Sequence, residues 1–92
     1  MKQSITTDQW TKITGLDGSK NYVLQALYES NSYQGMGVSG SIPIAVMWLQ
    51  QNATPAETDK GVISEQIKVS GATFVYVKSP SKPDIIIQEV VE

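Results

Sequence analysis

The 92-residue chain contains no cysteine, no histidine and no arginine. These absences exclude thiol nucleophiles, imidazole bases, the usual cysteine and histidine ligands of zinc, and the guanidinium fork that binds phosphate. Seven lysines against nine carboxylates give a net charge of −2, which is the wrong sign for holding a nucleic-acid backbone. The composition therefore argues against an enzyme, and it predicts no nucleic-acid partner.

Long hydrophobic runs are also missing. The longest, Ile44 to Leu49, has six residues, whereas a membrane-spanning helix needs about 20. No apolar segment of seven or more residues follows Met1, so we expect no export signal and no membrane partner. The lack of cysteine fits a chain that is made in a reducing cytosol.

Branched side chains dominate what is present. Valine and isoleucine together number 18 against 9 for leucine and alanine, and seven threonines raise the β-branched total to 25. Such side chains suit a pleated sheet better than a helix, and so short a chain can build only one core. We therefore predict an all-β fold, a small antiparallel β-sandwich or jelly-roll-like domain of about six strands. Residues 1–9 are predicted as an N-terminal arm, and 10–92 as a single domain with long loops at 29–41 and 50–61.

Alternating side chains, and apolar runs bounded by turn residues, predict the strands. These segments are 10–14, 20–28, 42–50, 62–69, 73–78 and 84–91. Segment 20–28 also suits a short helix, because leucine, glutamine and alanine are good helix formers, and this alternative stays open. Only Gly71 and Ala72 separate the fourth and fifth segments, which predicts a tight hairpin over 62–78.

Gly35 to Gly40 matches the GxGxxG pattern of dinucleotide-binding turns. In such turns the glycines follow a strand directly, whereas a polar loop precedes Gly35, and Pro43 would fall within the first turns of the helix. We therefore interpret this segment as a flexible loop. Glu57 and Asp59 match no cation-binding loop, so the sequence predicts neither a cofactor nor a metal.

Three segments are apolar on both faces, although a two-layer domain has only one interior for them: 22–28, 42–49 and 85–91. The remaining apolar surface predicts self-association or docking on a larger assembly. Two pairs of apolar side chains, which are alternatives, lie on the strand faces opposite the core-facing positions. Strand alternation does not explain three other apolar side chains. The interface candidates are Met47 with Leu49, or else Ile86 with Val90, together with Trp10, Tyr33 and Met36.

Three motifs occur in a familiar order: Asn21 to Gln25, then Thr54 to Gly61, then Gly71 to Lys78, followed by a β-rich tail. In this order they resemble the small β-sandwich virion proteins of tailed bacteriophages, which include capsid decoration proteins, head fibres and accessory proteins. The resemblance covers residues 20–91. It implies a protein without an active site that forms trimers or other homo-oligomers on a capsid or tail surface.

From the composition and this resemblance together, we expect a non-enzymatic virion structural protein, assembled in the host cytoplasm. It would associate with itself, as a trimer, and bind the major capsid or a tail protein. Two alternatives remain open. One is a glycan-binding or adhesion module of a phage tail or fibre, because exposed aromatic rings stack on sugars. The other is a small cytosolic regulatory binding protein.

Overall fold

The computed structural model describes residues 1–27 and 45–91, and within them the chain forms eight strands and no helix. In chain order the strands are β1 (Lys2–Ser4), β2 (Thr11–Lys12), β3 (Asn21–Leu27), β4 (Met47–Gln50), β5 (Val62–Ile63), β6 (Gln66–Ser70), β7 (Val75–Lys78) and β8 (Asp84–Val90). The all-β prediction is confirmed, and β3 takes the place of the alternative helix over 20–28. The predicted loop 29–41, with Tyr33 and Met36, lies outside the described residues.

The strands form two four-stranded sheets. Sheet A has the order β1-β8-β3-β6, and sheet B has the order β2-β7-β4-β5. Every pairing is antiparallel, as predicted for a small β-sandwich. There are eight strands in place of about six, because β1 was not predicted and segment 62–69 divides into β5 and β6.

The core lies between the inner faces of the two sheets. Successive side chains of a strand point to opposite faces, so every second residue enters the core. The buried side chains that alternate into it are Tyr22, Leu24 and Ala26 of β3, Ile85 and Ile87 of β8, Trp48 of β4, and Val75 and Val77 of β7. The residues between them point outward, and they decide what each outer face can bind.

The predicted hairpin over 62–78 is wrong, because its two arms lie in different sheets. β6 pairs with β3 in sheet A, whereas β7 pairs with β2 and β4 in sheet B. The chain crosses between the sheets through Gly71 and Ala72, so Val69 and Val75 are both buried in the core. A short glycine-containing turn allows this arrangement as well as a hairpin, and its sequence does not distinguish the two.

The predicted strand 62–69 is one extended run that changes sheet. The Ser64 N–H donates to the Val46 carbonyl at 3.0 Å and continues the pairing of β5 with β4. The next residue, Glu65, accepts the Ala26 N–H on its carbonyl at 2.9 Å and begins the pairing of β6 with β3. Adjacent residues therefore pair with opposite sheets, and this run joins the sheets along one side of the sandwich.

Residues 1–9, predicted as an arm outside the domain, supply both a strand and a core side chain. β1 pairs with β8 in sheet A. Beyond it Ile5 is 4% exposed, and its N–H donates to the Pro83 carbonyl at 3.1 Å. The sequence of β1 is polar and shows no alternation of apolar residues. Its pairing with β8, which is distant along the chain, is what makes it a strand.

The side chain of Gln3 connects the two sheets on the side opposite the 62–69 run. Its amide nitrogen donates to the Lys12 carbonyl at 3.0 Å, and its amide oxygen accepts the Thr14 N–H at 3.0 Å. Gln3 belongs to β1 of sheet A, and Lys12 belongs to β2 of sheet B. The first residues of the chain thus tie the edge of one sheet to the edge of the other.

Ile5→Ala tests whether residues 1–9 are part of the domain. We expect a loss of about 2–4 kcal/mol in the free energy of unfolding, because the change removes a buried side chain and leaves a cavity. Urea denaturation followed by far-UV circular dichroism measures it. Thr6→Ala is the control, since Thr6 is the exposed neighbour. Equal midpoints for the two variants would show that residues 1–9 are an arm after all.

Candidate functional site

The outer face of sheet B carries a set of apolar and aromatic side chains. The register of β4 with β7 sets Leu49 beside Tyr76 and Met47 beside Lys78. On the other side of β7, Lys12 lies opposite Tyr76, and at the far edge Ile63 lies opposite Met47. Ile63 belongs to the edge strand β5 and marks the end of this surface. With the two aromatic residues next to these strands, the remaining set is called the sheet B face: Trp10, Lys12, Met47, Leu49, Phe74, Tyr76 and Lys78.

Two lysines on the sheet B face lie over aromatic rings. Lys12 Nζ is 3.6 Å from the centroid of the Phe74 ring, and Lys78 Nζ is 5.9 Å from that of Trp10. The negative face of the ring attracts the ammonium in each pair. Within residues 1–27 and 45–91 neither lysine has a carboxylate partner. The sheet B face therefore presents two positive charges beside apolar surface.

Loop 51–61 is held against the sheet B face. The Lys78 ammonium donates to the Glu57 carbonyl at 2.9 Å, and Pro55 in the same loop is buried. The Asp59 carboxylate accepts the Ala56 N–H at 2.8 Å, which fixes the turn of the loop. The long segment predicted at 50–61 therefore begins with the last residue of β4 and continues as a loop with internal and external contacts.

The outer face of sheet A differs, because polar side chains interrupt its apolar ones. Along β8, Ile86 and Val90 are half-buried, and the exposed Gln88 lies between them. The neighbouring β3 alternates in the same way, with Gln25 beside Ile86 and Val23 beside Gln88. Sheet A therefore exposes isolated apolar residues instead of a continuous apolar surface.

Ion pairs already neutralise two carboxylates of β8. Lys2 Nζ lies 3.7 Å from the Asp84 carboxylate, and Lys20 Nζ lies 2.9 Å from the Glu89 carboxylate. The hydrogen bond and the charge of Glu89 raise the pKa of Lys20 above its usual value. These carboxylates are less available than an unpaired one for a partner's lysine.

β5 exposes both of its side chains. Val62 is 66% exposed and Ile63 is 69% exposed, the highest fractions among large apolar residues in the described strands. Glu65, two residues further on, is also exposed, and within the described residues its carboxylate has no ammonium partner. These three residues, Val62, Ile63 and Glu65, are called the β5 edge. They combine apolar side chains on both sides of an edge strand with a negative charge.

The structure divides the predicted interface residues between the two outer faces. Met47, Leu49 and Trp10 come together on the sheet B face, where all three are half-buried. Ile86 and Val90 lie on the outer face of sheet A, on the other side of the molecule. The two pairs that were alternatives in the sequence thus belong to separate surfaces.

Sequence reasoning missed four residues of the sheet B face: Lys12, Phe74, Tyr76 and Lys78. The alternation over 73–78 already places the last three on one side of a strand. It does not indicate which side faces the core. Lys12 becomes part of the set only through the pairing of β2 with β7, which joins residues about 65 positions apart.

Apart from the two outer faces and the β5 edge, the described residues offer little that indicates a ligand site. A shallow cleft of about 200 Å³ lies beside the sheet B face and is lined in part by Lys12, Thr73 and Phe74. Typical ligand pockets measure roughly 300–1,000 Å³. Within the described ranges, no group of three acidic side chains is placed to hold a metal ion. Nor do these residues form any helix of the length and hydrophobicity that crossing a membrane requires.

Comparison with family models, with curated proteins and with solved structures finds no match for this chain. Its function is therefore inferred from its own surfaces.

Proposed function

We propose that this protein is a non-enzymatic structural protein of a bacteriophage particle, where it associates with itself and binds the particle surface. The sheet B face carries the part of this proposal that concerns association, because four half-buried or exposed apolar side chains and two lysines lie on the outside of one sheet. The four are Trp10, Met47, Leu49 and Phe74. Large apolar patches on small domains mark interaction sites. Covering this face with protein removes apolar area from water, which favours association.

Protein contacts fit the sheet B face better than stacking on a sugar. A sugar stacks on the open face of an aromatic ring, but the Lys12 ammonium lies 3.6 Å from the Phe74 centroid. Tyr76 is only 5% exposed, so its ring offers little surface. These two observations favour protein docking over the glycan-binding alternative.

The proposed location in a bacteriophage particle rests on the resemblance of residues 20–91 to small virion proteins. The same resemblance supports a trimer as the assembled state and a major capsid or tail protein as the second partner. The copy number of the protein in purified particles tests this part. Quantitative mass spectrometry is expected to find it in a fixed, high ratio to the major capsid protein. Its absence from washed particles would reject the virion role.

Met47→Lys and Ile86→Lys form a matched pair that tests which face associates. Each residue is half-buried on the outer side of a strand, Met47 on sheet B and Ile86 on sheet A. We expect Met47→Lys to weaken self-association about tenfold or more, because it places a charge in the apolar face, and Ile86→Lys to leave it unchanged. Sedimentation equilibrium at micromolar concentration measures this, and circular dichroism checks that both variants fold.

Two outcomes would contradict this assignment. If Ile86→Lys dissociates the oligomer and Met47→Lys does not, the interface lies on sheet A. If the unmodified chain sediments as a monomer of 10.0 kDa at every concentration, the self-association itself is rejected.

A further inference from the structure

We infer that two copies of this chain associate head to tail, with the sheet B face of one copy against the β5 edge of the next. The inference rests on the proposed self-association and assigns the two surfaces that would form it. Both surfaces carry apolar side chains. The sheet B face also carries positive charges, whereas the β5 edge carries a negative charge. A second copy supplies each surface with the partner that it lacks among the described residues of its own chain.

A contact between two identical sheet B faces is unfavourable. In a two-fold symmetric dimer the same patch meets itself, so Lys12 and Lys78 of one copy would approach Lys12 and Lys78 of the other. Within the described residues, neither lysine has a carboxylate that would offset this repulsion. Like charges opposed in an interface weaken it. The sheet B face therefore needs a partner surface that is apolar and negative.

The β5 edge meets both requirements. Val62 and Ile63 are about two-thirds exposed, although they belong to a strand, and covering them removes apolar area from water. Glu65 adds an exposed carboxylate that a lysine of the neighbouring copy can pair with. On the receiving side, Phe74 is 43% exposed and lies under the Lys12 ammonium. Apolar surface and opposite charge are thus matched on the two sides.

The outer face of sheet A fits less well as the partner surface. Its carboxylate on β8, Asp84, is already paired with Lys2, and Glu89 near the end of the same strand is paired with Lys20. Binding the sheet B face would break these pairs or leave the lysines of that face without a new carboxylate. Glu65, which has no ammonium partner in the part of the chain that the structure describes, carries no such cost.

The positions of the two surfaces allow the contact to repeat. β5 is one edge strand of sheet B, and β2, which carries Lys12, is the edge strand at the opposite end. One copy can therefore bind a neighbour at each end. Such a contact is heterologous, and it produces a closed ring when the rotation between copies closes. A ring of this kind agrees with the homo-oligomer proposed above.

Charge reversal tests the contact by sedimentation equilibrium at micromolar concentration and low salt. In the Lys12→Glu variant, the new carboxylate faces Glu65 of the next copy. In the Glu65→Lys variant, the new ammonium faces Lys12 of the next copy. Each variant therefore opposes like charges and is expected to weaken association about tenfold. Lys68→Glu is the control, because it makes the same change of charge at an exposed residue of sheet A and is expected to have no effect. Circular dichroism confirms that each variant folds.

Restoration of the contact is the decisive result. The chain carrying both Lys12→Glu and Glu65→Lys brings opposite charges together again, with the original net charge, and is expected to associate as the unmodified chain does. An equimolar mixture of the two single variants is expected to associate more strongly than either variant alone, because contacts between unlike variants are complementary. It is expected to stay weaker than the double variant, because a closed ring of three must keep one contact between like variants.

The possible failures are distinguishable. If the unmodified chain is a monomer, the proposed self-association is rejected, and this inference with it. If the unmodified chain associates but the single reversals have no effect, self-association stands and the head-to-tail contact is wrong. If the single reversals weaken association and the double variant does not restore it, Lys12 and Glu65 do not face each other and the contact is also wrong.

Discussion

Trp48→Phe is expected to lower the free energy of unfolding by about 2–3 kcal/mol, although it replaces one aromatic ring with another. Trp48 is 2% exposed, and its Nε1–H donates to the Ser64 carbonyl at 2.7 Å. Ser64 is the residue at which the 62–69 run passes from sheet B to sheet A. Phenylalanine leaves a cavity and removes the donor from this carbonyl. The change therefore weakens both the core and the junction of the two sheets.

Trp10→Phe is the matched control for this result. The Nε1 of Trp10 is buried but has no hydrogen-bond partner within the described residues, so the same substitution removes no bond there. Losing an unsatisfied buried donor removes a desolvation cost, which offsets part of the loss from the smaller ring. Urea denaturation followed by far-UV circular dichroism compares the two variants. Similar midpoints would mean that the bond from Trp48 to Ser64 contributes nothing to the fold.

The sequence predicts single strands better than it predicts their partners. The alternation that places Tyr22, Leu24 and Ala26 in the core is visible in the sequence, and β3 has these residues buried. Alternation is a local property of the backbone, with a period of two residues. Pairing depends on residues far apart in the chain. The polar strand β1, which shows no alternation, is therefore missed, and Ile5 is misplaced with it.

The predicted hairpin fails for the same reason. Gly71 and Ala72 suit the turn of a hairpin and also a turn that crosses between two sheets. Which of the two forms depends on where the chain near Asp17 lies. The Gly71 N–H donates to the Lys20 carbonyl at 2.9 Å, a contact over about 50 residues. No pattern within 62–78 contains this information.

In the candidate site, too, the features that depend on local alternation could be predicted, and those that depend on strand pairing could not. The side chains opposite the core, such as Met47 and Leu49, could be predicted from alternation, because each lies next to a buried residue in the strand. The two cation–π contacts could not be predicted, since each joins β2 or its flank to β7 or its flank. Charge complementarity between the sheet B face and the β5 edge likewise appears only after the strands are ordered into a sheet.

Gly71→Ala is expected to destabilise the protein by about 3 kcal/mol, because a methyl group at this position would collide with the Asp17 carbonyl. The turn that holds this carbonyl has little freedom to move. The Lys20 N–H donates to the same carbonyl at 3.0 Å, and the Asp17 N–H donates to the buried Tyr22 hydroxyl at 2.8 Å. Ser19 donates its N–H and its hydroxyl to the Asp17 carboxylate, at 2.8 and 2.7 Å.

The two hydrogen bonds from Ser19, with the nearby charge of Lys20, hold the pKa of Asp17 below its usual value. The same bonds hold the turn in place. They resist the shift of the turn that would relieve the collision, so the chain crossing between sheets A and B at Gly71 has to move instead.

Gly18→Ala in the same turn is the matched control. A methyl group there would lie 3.9 Å from the Ala72 Cα, an ordinary contact, and Gly18 does not have a left-handed backbone conformation. Its effect is expected to be within about 1 kcal/mol, because the new contact is ordinary and alanine restricts the unfolded chain. A urea midpoint for Gly71→Ala as high as that for Gly18→Ala would mean that the two segments do not approach closely. The crossing of the chain between the sheets at Gly71, which replaces the predicted hairpin, would then be wrong.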